Sequence, residues 1–320
     1  MYGGGQLSAF VHYLGLSAPL FALVIVGYAV ARLPFWRKSW TLGLGKFVFA
    51  VPLPALLFHM MSDLDETRFL DARPLVAFFG SCLIVFSIGR AVASLVFRLD
   101  GVSQSVFALG GVFSNNVLLG VPLARLTLGA EAMPCVALIL VFNALTLWTL
   151  VTVSVEWARH GSLSLAGFGN TARSVLTNPL IVAILGGTLF GLSGWSLPGP
   201  LAGALSTVGK AAGPLALLAL GSSISQYGIR RELSQSLAIC AIKLLVQPIV
   251  VWGLAVALGL PLVERQVVVL LGSLAVGANV HLMAARFEVM QGPVASSLVL
   301  STVLAALTTP LLLAFSSAFP

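Results

Sequence analysis

Two apolar runs of this chain are interrupted at matching places, and no other feature limits its fold as strongly. The stretch 107–128 contains Gly110-Gly111-Val112-Phe113-Ser114-Asn115-Asn116, followed by Gly120-Val121-Pro122; the stretch 267–286 contains Gly277-Ala278-Asn279-Val280-His281. Polar side chains and helix-weakening residues thus fall where a membrane helix should be driest. Broken helices at corresponding positions in two halves of a membrane protein mark the substrate site of many carriers, so the pattern points to solute translocation.

A membrane setting follows from the remaining residues. Of 320 residues, 58% are hydrophobic and 8% charged, with a mean hydropathy of +1.04. That leaves too little polar surface to cover a water-soluble globule. About twenty apolar residues are needed to cross a bilayer as a helix. The sequence predicts about ten such spans, near 12–31, 40–62, 73–98, 103–127, 132–157, 174–194, 199–226, 234–259, 263–286 and 290–318. Proline and glycine inside several of them are tolerated in lipid, where neighbouring helices satisfy the freed backbone groups.

Cysteine and charge usage exclude other classes. Cys82, Cys135 and Cys240 all lie in apolar runs at spacings that fit neither a disulfide framework nor a zinc site, so no cofactor and no metal is expected. The formal charge of +7 is spread over short loops and forms no nucleic-acid recognition stripe. With loops on alternate sides, Arg32, Arg37, Lys38, Arg98, Arg159, Arg173, Arg230, Arg231 and Arg286 collect on one side. The other side receives Arg68, Arg73, Arg125 and Arg265, mostly beside Asp63, Asp65, Glu66, Asp71 and Glu264. The positive-inside rule makes the first side cytoplasmic and places both termini outside, in an inner membrane. No positive charge precedes the first apolar run, so it reads as a retained span and not a cleaved signal, and no long polar segment reads as a separate soluble domain.

Five spans precede the polar loop and five follow it, which forces the halves into opposite orientations. The expected organisation is a first five-helix repeat over 1–160, a cytoplasmic connecting loop over 161–173 and a second repeat over 174–320. Pro54-Ala55-Leu56-Leu57 in span two corresponds to Pro214-Leu215-Ala216-Leu217-Leu218 in span seven, and Asn116-Val117 to Asn279-Val280.

The stretch from Phe113 to Leu123 resembles the signature of the auxin efflux carriers, a serine and asparagine followed by glycine-x-proline. The resemblance continues at Thr177-Asn178-Pro179, at Gly213-Pro214-Leu215-Ala216-Leu217-Leu218, at Lys243-Leu244-Leu245-Val246-Gln247-Pro248, and at Val294-Ala295-Ser296-Ser297 through Val303. The short loop after span five is similar to that of bacterial members, some described as malonate or malate permeases. The resemblance implies an all-α membrane protein of ten helices in two inverted repeats, with helices four and nine unwinding and crossing near the midplane. It implies a small organic anion, a carboxylate, held at that crossover by Ser114, Asn115, Asn116 and Asn279. The family usually carries proline just ahead of the second crossover, where this chain has Val276-Gly277.

The residues support that site independently. A half-helix starting at a break turns its free N–H groups and positive dipole end toward an anion, and asparagine amides add donors without a permanent ion pair. Gly120, Pro122 and Gly277 are the expected helix-breaking residues. His281, two residues past Asn279, is a further expected substrate-binding residue, and His281 and His59, after Pro52 and Pro54, are candidates for carrying a coupled proton. Lys243 lies one helical turn before Gln247 and could attract anions or stand in for a coupling cation. Packing is the alternative for each: asparagines joining helices, histidines hydrogen-bonded in the core, lysine snorkelling.

All ten acidic residues map to loops or helix ends, which argues against sodium coupling and against a related fold in which sodium drives uptake of bile-acid-like anions. HExxH, GxSxG and paired membrane aspartates are missing from the sequence, which argues against an intramembrane enzyme. A channel or solute-sensing receptor on the same fold stays open. Gly186, Gly187, Gly191 and Gly194 in span six leave room for close helix contact, and so for a homodimer.

Overall fold

The computed structural model describes residues 3–62, 71–160, 178–227 and 232–318. The expected connecting loop 161–173, the acidic loop with Asp63, Asp65, Glu66 and Arg68, and the pair Arg230 and Arg231 lie outside the described residues. Fourteen α-helices run through the rest: α1 (Gly3–Val30), α2 (Lys38–Ala50), α3 (Pro52–Ser62), α4 (Arg73–Leu95), α5 (Gly101–Val112), α6 (Val121–Thr127), α7 (Met133–His160), α8 (Pro179–Leu192), α9 (Gly199–Ile224), α10 (Leu233–Ala241), α11 (Gln247–Ala257), α12 (Leu262–Ser273), α13 (Ala278–Arg286) and α14 (Gln291–Ala318). π-Helical turns at Asn116–Gly120 and Ile242–Val246 lead into α6 and join α10 to α11.

Among the described residues, six helical stretches are long and apolar enough to cross a membrane: Leu7–Val30, Lys38–Ser62, Arg73–Leu95, Gly199–Ile224, Leu233–Ala257 and Gln291–Ser316. Shorter apolar helices cover Gly101–Val112, Asn116–Thr127, Ala130–Asn143 and Pro179–Leu192. Large apolar side chains such as Ile25, Leu95, Leu189 and Leu307 are exposed on the outside of the bundle, the pattern of a surface dissolved in lipid.

Some interruptions propagate and others do not. The second span is divided at Val51, whose backbone (φ −127°, ψ −70°) is not helical, just before Pro52. The residue before a proline is disfavoured in the helical region. By contrast, α9 runs through Pro214 and α14 through Pro310 without ending.

The helices pack in two groups, each drawn from both ends of the chain, and α1 packs on α14 where the groups join. In one, α9 packs on α1, α2 and α3, and α3 also packs on α8; in the other, α4 packs on α5 and α11, α12 on α11 and α14, and α10 on α14. Small residues permit the close approaches. A Cβ on Gly187 would lie 2.6 Å from the Phe58 carbonyl oxygen, and one on Gly191 would lie 2.9 Å from that of Met61. Two of the glycines that raised the expectation of a homodimer are therefore covered by α3 of the same chain. Gly194 instead serves the turn after α8, with φ +71°, a conformation that favours glycine.

Candidate functional site

The two interrupted spans meet. Helix α5 ends at Val112 and α12 at Ser273, and the chain is extended at Phe113 and again at Leu274. Ser114 and Val276 form an antiparallel bridge: the Asn115 N–H donates to the Ala275 carbonyl at 2.9 Å, and the Gly277 N–H to the Phe113 carbonyl at 2.7 Å. Unwound backbone inside a bilayer is stable only where protein satisfies it. Helix α14 supplies two more bonds, since Ser301 Oγ accepts from the Val276 N–H at 3.0 Å and Thr309 Oγ1 donates to the Ser273 carbonyl at 3.1 Å.

The expected breaking residues do different work from one another. The first break lies at Phe113–Asn115, upstream of Gly120 and Pro122, which belong to the resumed helix: the π-helical turn Asn116–Gly120 runs straight into α6, whose second residue is Pro122. Gly277 lies within the second break in ordinary extended geometry (φ −78°, ψ 144°). Its lack of a side chain matters for approach, because a Cβ there would stand 2.9 Å from the Phe113 ring and 3.0 Å from the Ser114 carbonyl oxygen.

A cavity of about 390 Å³ opens on this crossing. One wall is the crossover, with Ser114, Asn115, Asn116, Ala278 and Asn279; the opposite wall comes from α2, α8 and α9, with Lys46, Ile181 and Ser223 among its residues. The cavity therefore lies between the two packing groups. Its volume suits a small metabolite.

Ser114, Asn115 and Asn116 are buried, yet Ser114 Oγ, Asn115 Nδ2 and Asn116 Oδ1 have no hydrogen-bond partner in this structure. Asn116 Nδ2 donates to Asn143 Oδ1 at 3.3 Å, which fixes that amide against α7. Leaving buried polar groups unpaired costs roughly 1–3 kcal/mol each, so a cluster of them beside a cavity is the mark of a site built for a polar ligand. Helix α13 begins at Ala278, and while the Val280 N–H donates to the Gly277 carbonyl at 3.0 Å, the N–H groups of Ala278 and Asn279, both lining the cavity, have no helical carbonyl one turn back.

The other candidates are placed apart. His281 does not line the cavity; its ring meets that of Tyr227 edge-on at 4.7 Å, and Tyr227 is the one that lines it. His59 is half-buried toward the end of α3, away from the cavity. Lys243 and Gln247 are fully buried behind the crossover and hydrogen-bonded to each other at 2.8 Å, so Lys243 does not snorkel.

Three contributors were not singled out from the sequence. Asn143 is a polar residue inside an apolar run, a signal of the same kind as Asn116. Lys46, exposed on α2, is the one charged side chain lining the cavity among the described residues; its place within span two was the available signal. Asn178 caps α8 by accepting from the Leu180 N–H at 2.9 Å and also lines the cavity.

The family pattern described as "Membrane transport protein" matches residues 13–175 and 165–313, nearly the full length. The chain belongs to this auxin efflux carrier-like family. Two relatives match across the same extent. A Rhizobium meliloti protein named "Putative malonate transporter" is 27% identical over 300 residues, covering 92% of each chain. An "Uncharacterized transporter" of Methanothermobacter thermautotrophicus is 24% identical over 296 residues, covering 90% of this chain and 93% of that one. Family membership and the apolar helices together make this a multi-pass membrane protein of a transporter family.

Proposed function

We propose that the protein is a secondary carrier of small organic anions, carboxylates in particular, which it binds at the crossover and moves by alternating access. The observation that carries this reading is the pair of buried, unpartnered groups able to donate, Ser114 Oγ and Asn115 Nδ2, beside the cavity. A carboxylate accepts hydrogen bonds from Asn115 Nδ2, the Ser114 hydroxyl, the Asn279 amide and the leading N–H groups of α13. Lys46 adds a positive charge on the facing wall. The relative named for malonate supports a dicarboxylate, one carboxylate at the crossover and the other toward Lys46.

The halves are read as inverted five-helix repeats, 1–160 and 174–320, with α5–α6 and α12–α13 as corresponding broken helices. Because the cavity lies between two packing groups, movement of one group against the other would pass the site from one side to the other. Thr41, Asn178, Gln226 and Tyr227 line the cavity near helix ends on the side that the arginine and lysine distribution makes cytoplasmic, so the conformation is inward-facing. Both chain termini then lie outside an inner membrane. His281 is a proton-coupling candidate acting through Tyr227, not a direct ligand.

The test is uptake of labelled malonate and other small carboxylates into liposomes carrying the purified protein, with and without an inward proton gradient. Saturable uptake with counterflow, lost in Asn115→Ala and Asn279→Ala, supports the carrier. Binding without counterflow would favour a receptor, and non-saturating flux a channel.

A further inference from the structure

Lys243 has no exposed surface and lies in the π-helical turn between α10 and α11. Its ammonium Nζ donates to the Gly272 carbonyl at 2.6 Å and to Gln247 Oε1 at 2.8 Å, while Gln247 Nε2 donates to the Val112 carbonyl at 3.2 Å and to Cys82 Sγ at 3.5 Å. Val112 is the last residue of α5, and Gly272 is the last but one of α12. One side-chain pair therefore reaches the ends of both helices that run into the crossover.

Both carbonyls are among those the breaks leave without helical partners. The N–H four residues after Val112 belongs to Asn116 and donates to the Ser114 carbonyl; the N–H four residues after Gly272 belongs to Val276 and donates to Ser301 Oγ. Each helix C-terminus also carries a partial charge of roughly −0.5, so two meeting in the interior present about one negative charge. A single ammonium matches it. No metal-binding cluster of His, Cys, Asp or Glu occurs among the described residues.

We propose that Lys243 is a built-in counter-cation of the crossover, binding the negative ends of α5 and α12 directly and through Gln247 in the place where a free cation would otherwise be required. The positive helix ends on the other side of the crossing then remain available to the anion. The structural role does not depend on which solute is carried. Its consequence for transport, that the carrier cycles without sodium, rests on the carrier reading above.

The experiment compares unfolding temperatures of the purified wild type, Lys243→Met and Lys243→Ala in sodium, potassium and choline chloride at one ionic strength, with ethylammonium added in a further arm. The wild type should unfold at the same temperature in all three salts, and both variants lower by roughly 5–10 °C. Ethylammonium or sodium should restore part of the loss in Lys243→Ala, where the vacated space admits a small cation. Wild-type stabilisation by sodium, a Lys243→Met protein as stable as wild type, or a Lys243→Ala loss that no small cation reverses would overturn the proposal. Should Lys243→Ala not fold, Gln247→Leu decides: it keeps the ammonium and cuts the link to Val112, so a lowered unfolding temperature supports the brace and an unchanged one overturns it. Carboxylate uptake by the wild type in the same three salts should be equal. Sodium-dependent uptake goes against the proposal, whereas no uptake in any salt goes against the carrier reading and leaves the thermal comparison to decide on Lys243.

Discussion

Ser114 and Val276 face each other across an antiparallel bridge, flanked by the Asn115-to-Ala275 and Gly277-to-Phe113 hydrogen bonds. This short contact turns two broken helices into one site, and most of the functional expectations depend on it.

Gly277 controls how closely the strands cross. Gly277→Ala places a methyl 2.9 Å from the Phe113 ring and 3.0 Å from the Ser114 carbonyl oxygen, and Gly277→Val adds more bulk. Overpacking of this kind costs about 1–3 kcal/mol. The unfolding temperature in detergent should fall in the order wild type, Ala, Val, with anion uptake falling in the same order.

Asn116 joins the crossover to Asn143 on α7. Hydrogen bonds to charged groups contribute about 1.5–3 kcal/mol, so Asn115→Ala, which removes the unpartnered Nδ2 donor beside it, should weaken carboxylate binding roughly 10- to 100-fold. Asn143→Ala releases the Asn116 amide without removing it, and a smaller loss is expected. Ligand titration by calorimetry or fluorescence measures both, and equal, unchanged affinities would remove the asparagines from the site.

Lys46 lies on the wall opposite the crossover and is exposed to the cavity. Exposed charges contribute about 0.2–1 kcal/mol and are screened by salt. Lys46→Gln should therefore raise the half-saturating concentration for a dicarboxylate by a few-fold, mainly at low ionic strength. A monocarboxylate should be less affected, and comparing the two anions at two salt concentrations tests the assignment.

Asp100 caps α5, with its carboxylate accepting from the Ser103 hydroxyl at 2.5 Å and from the Val102 and Ser103 N–H groups at 3.0 and 3.1 Å. The Ser103 hydroxyl foremost, then these N–H groups, hold its carboxyl below the ordinary carboxylate range, against a smaller opposing effect of burial. A lowered folded-state pKa means the stabilisation is complete above the unfolded value of about 3.9 and is lost as pH falls through the folded one. Asp100→Ala should cost about 0.5–2 kcal/mol at neutral pH, and its difference from wild type in unfolding temperature should shrink below about pH 4.

The sequence made the membrane setting, the two interruptions and the crossover asparagines legible because each is local: a run of apolar residues, or a polar group where none is tolerated cheaply. It also placed Lys243 and Gln247 on one helical face, and the structure joins them. Three-dimensional pairing was not legible. Asn143 is distinguished from other buried polar residues only by its hydrogen bond to Asn116 beside the first break, and Lys46 by the place of α2 along the cavity wall. Gly120 and Pro122 drew attention as breakers, but the chain departs from helix at Phe113, where the pairing with Val276 outcompetes continuation. His281 lies close in sequence to Asn279, yet Tyr227 stands between it and the cavity.

The hydroxyls of α14 bear on how the protein comes to exist. Ser301 and Thr309 add hydrogen bonds to the second break, and Val276 pairs with the first, yet all are synthesised after the first break has been made. During synthesis the first break stays unpaired until 275–277 emerge, and the second until α14 does. Without α14 the Val276 N–H and the Ser273 carbonyl would be unpaired polar groups in the membrane interior.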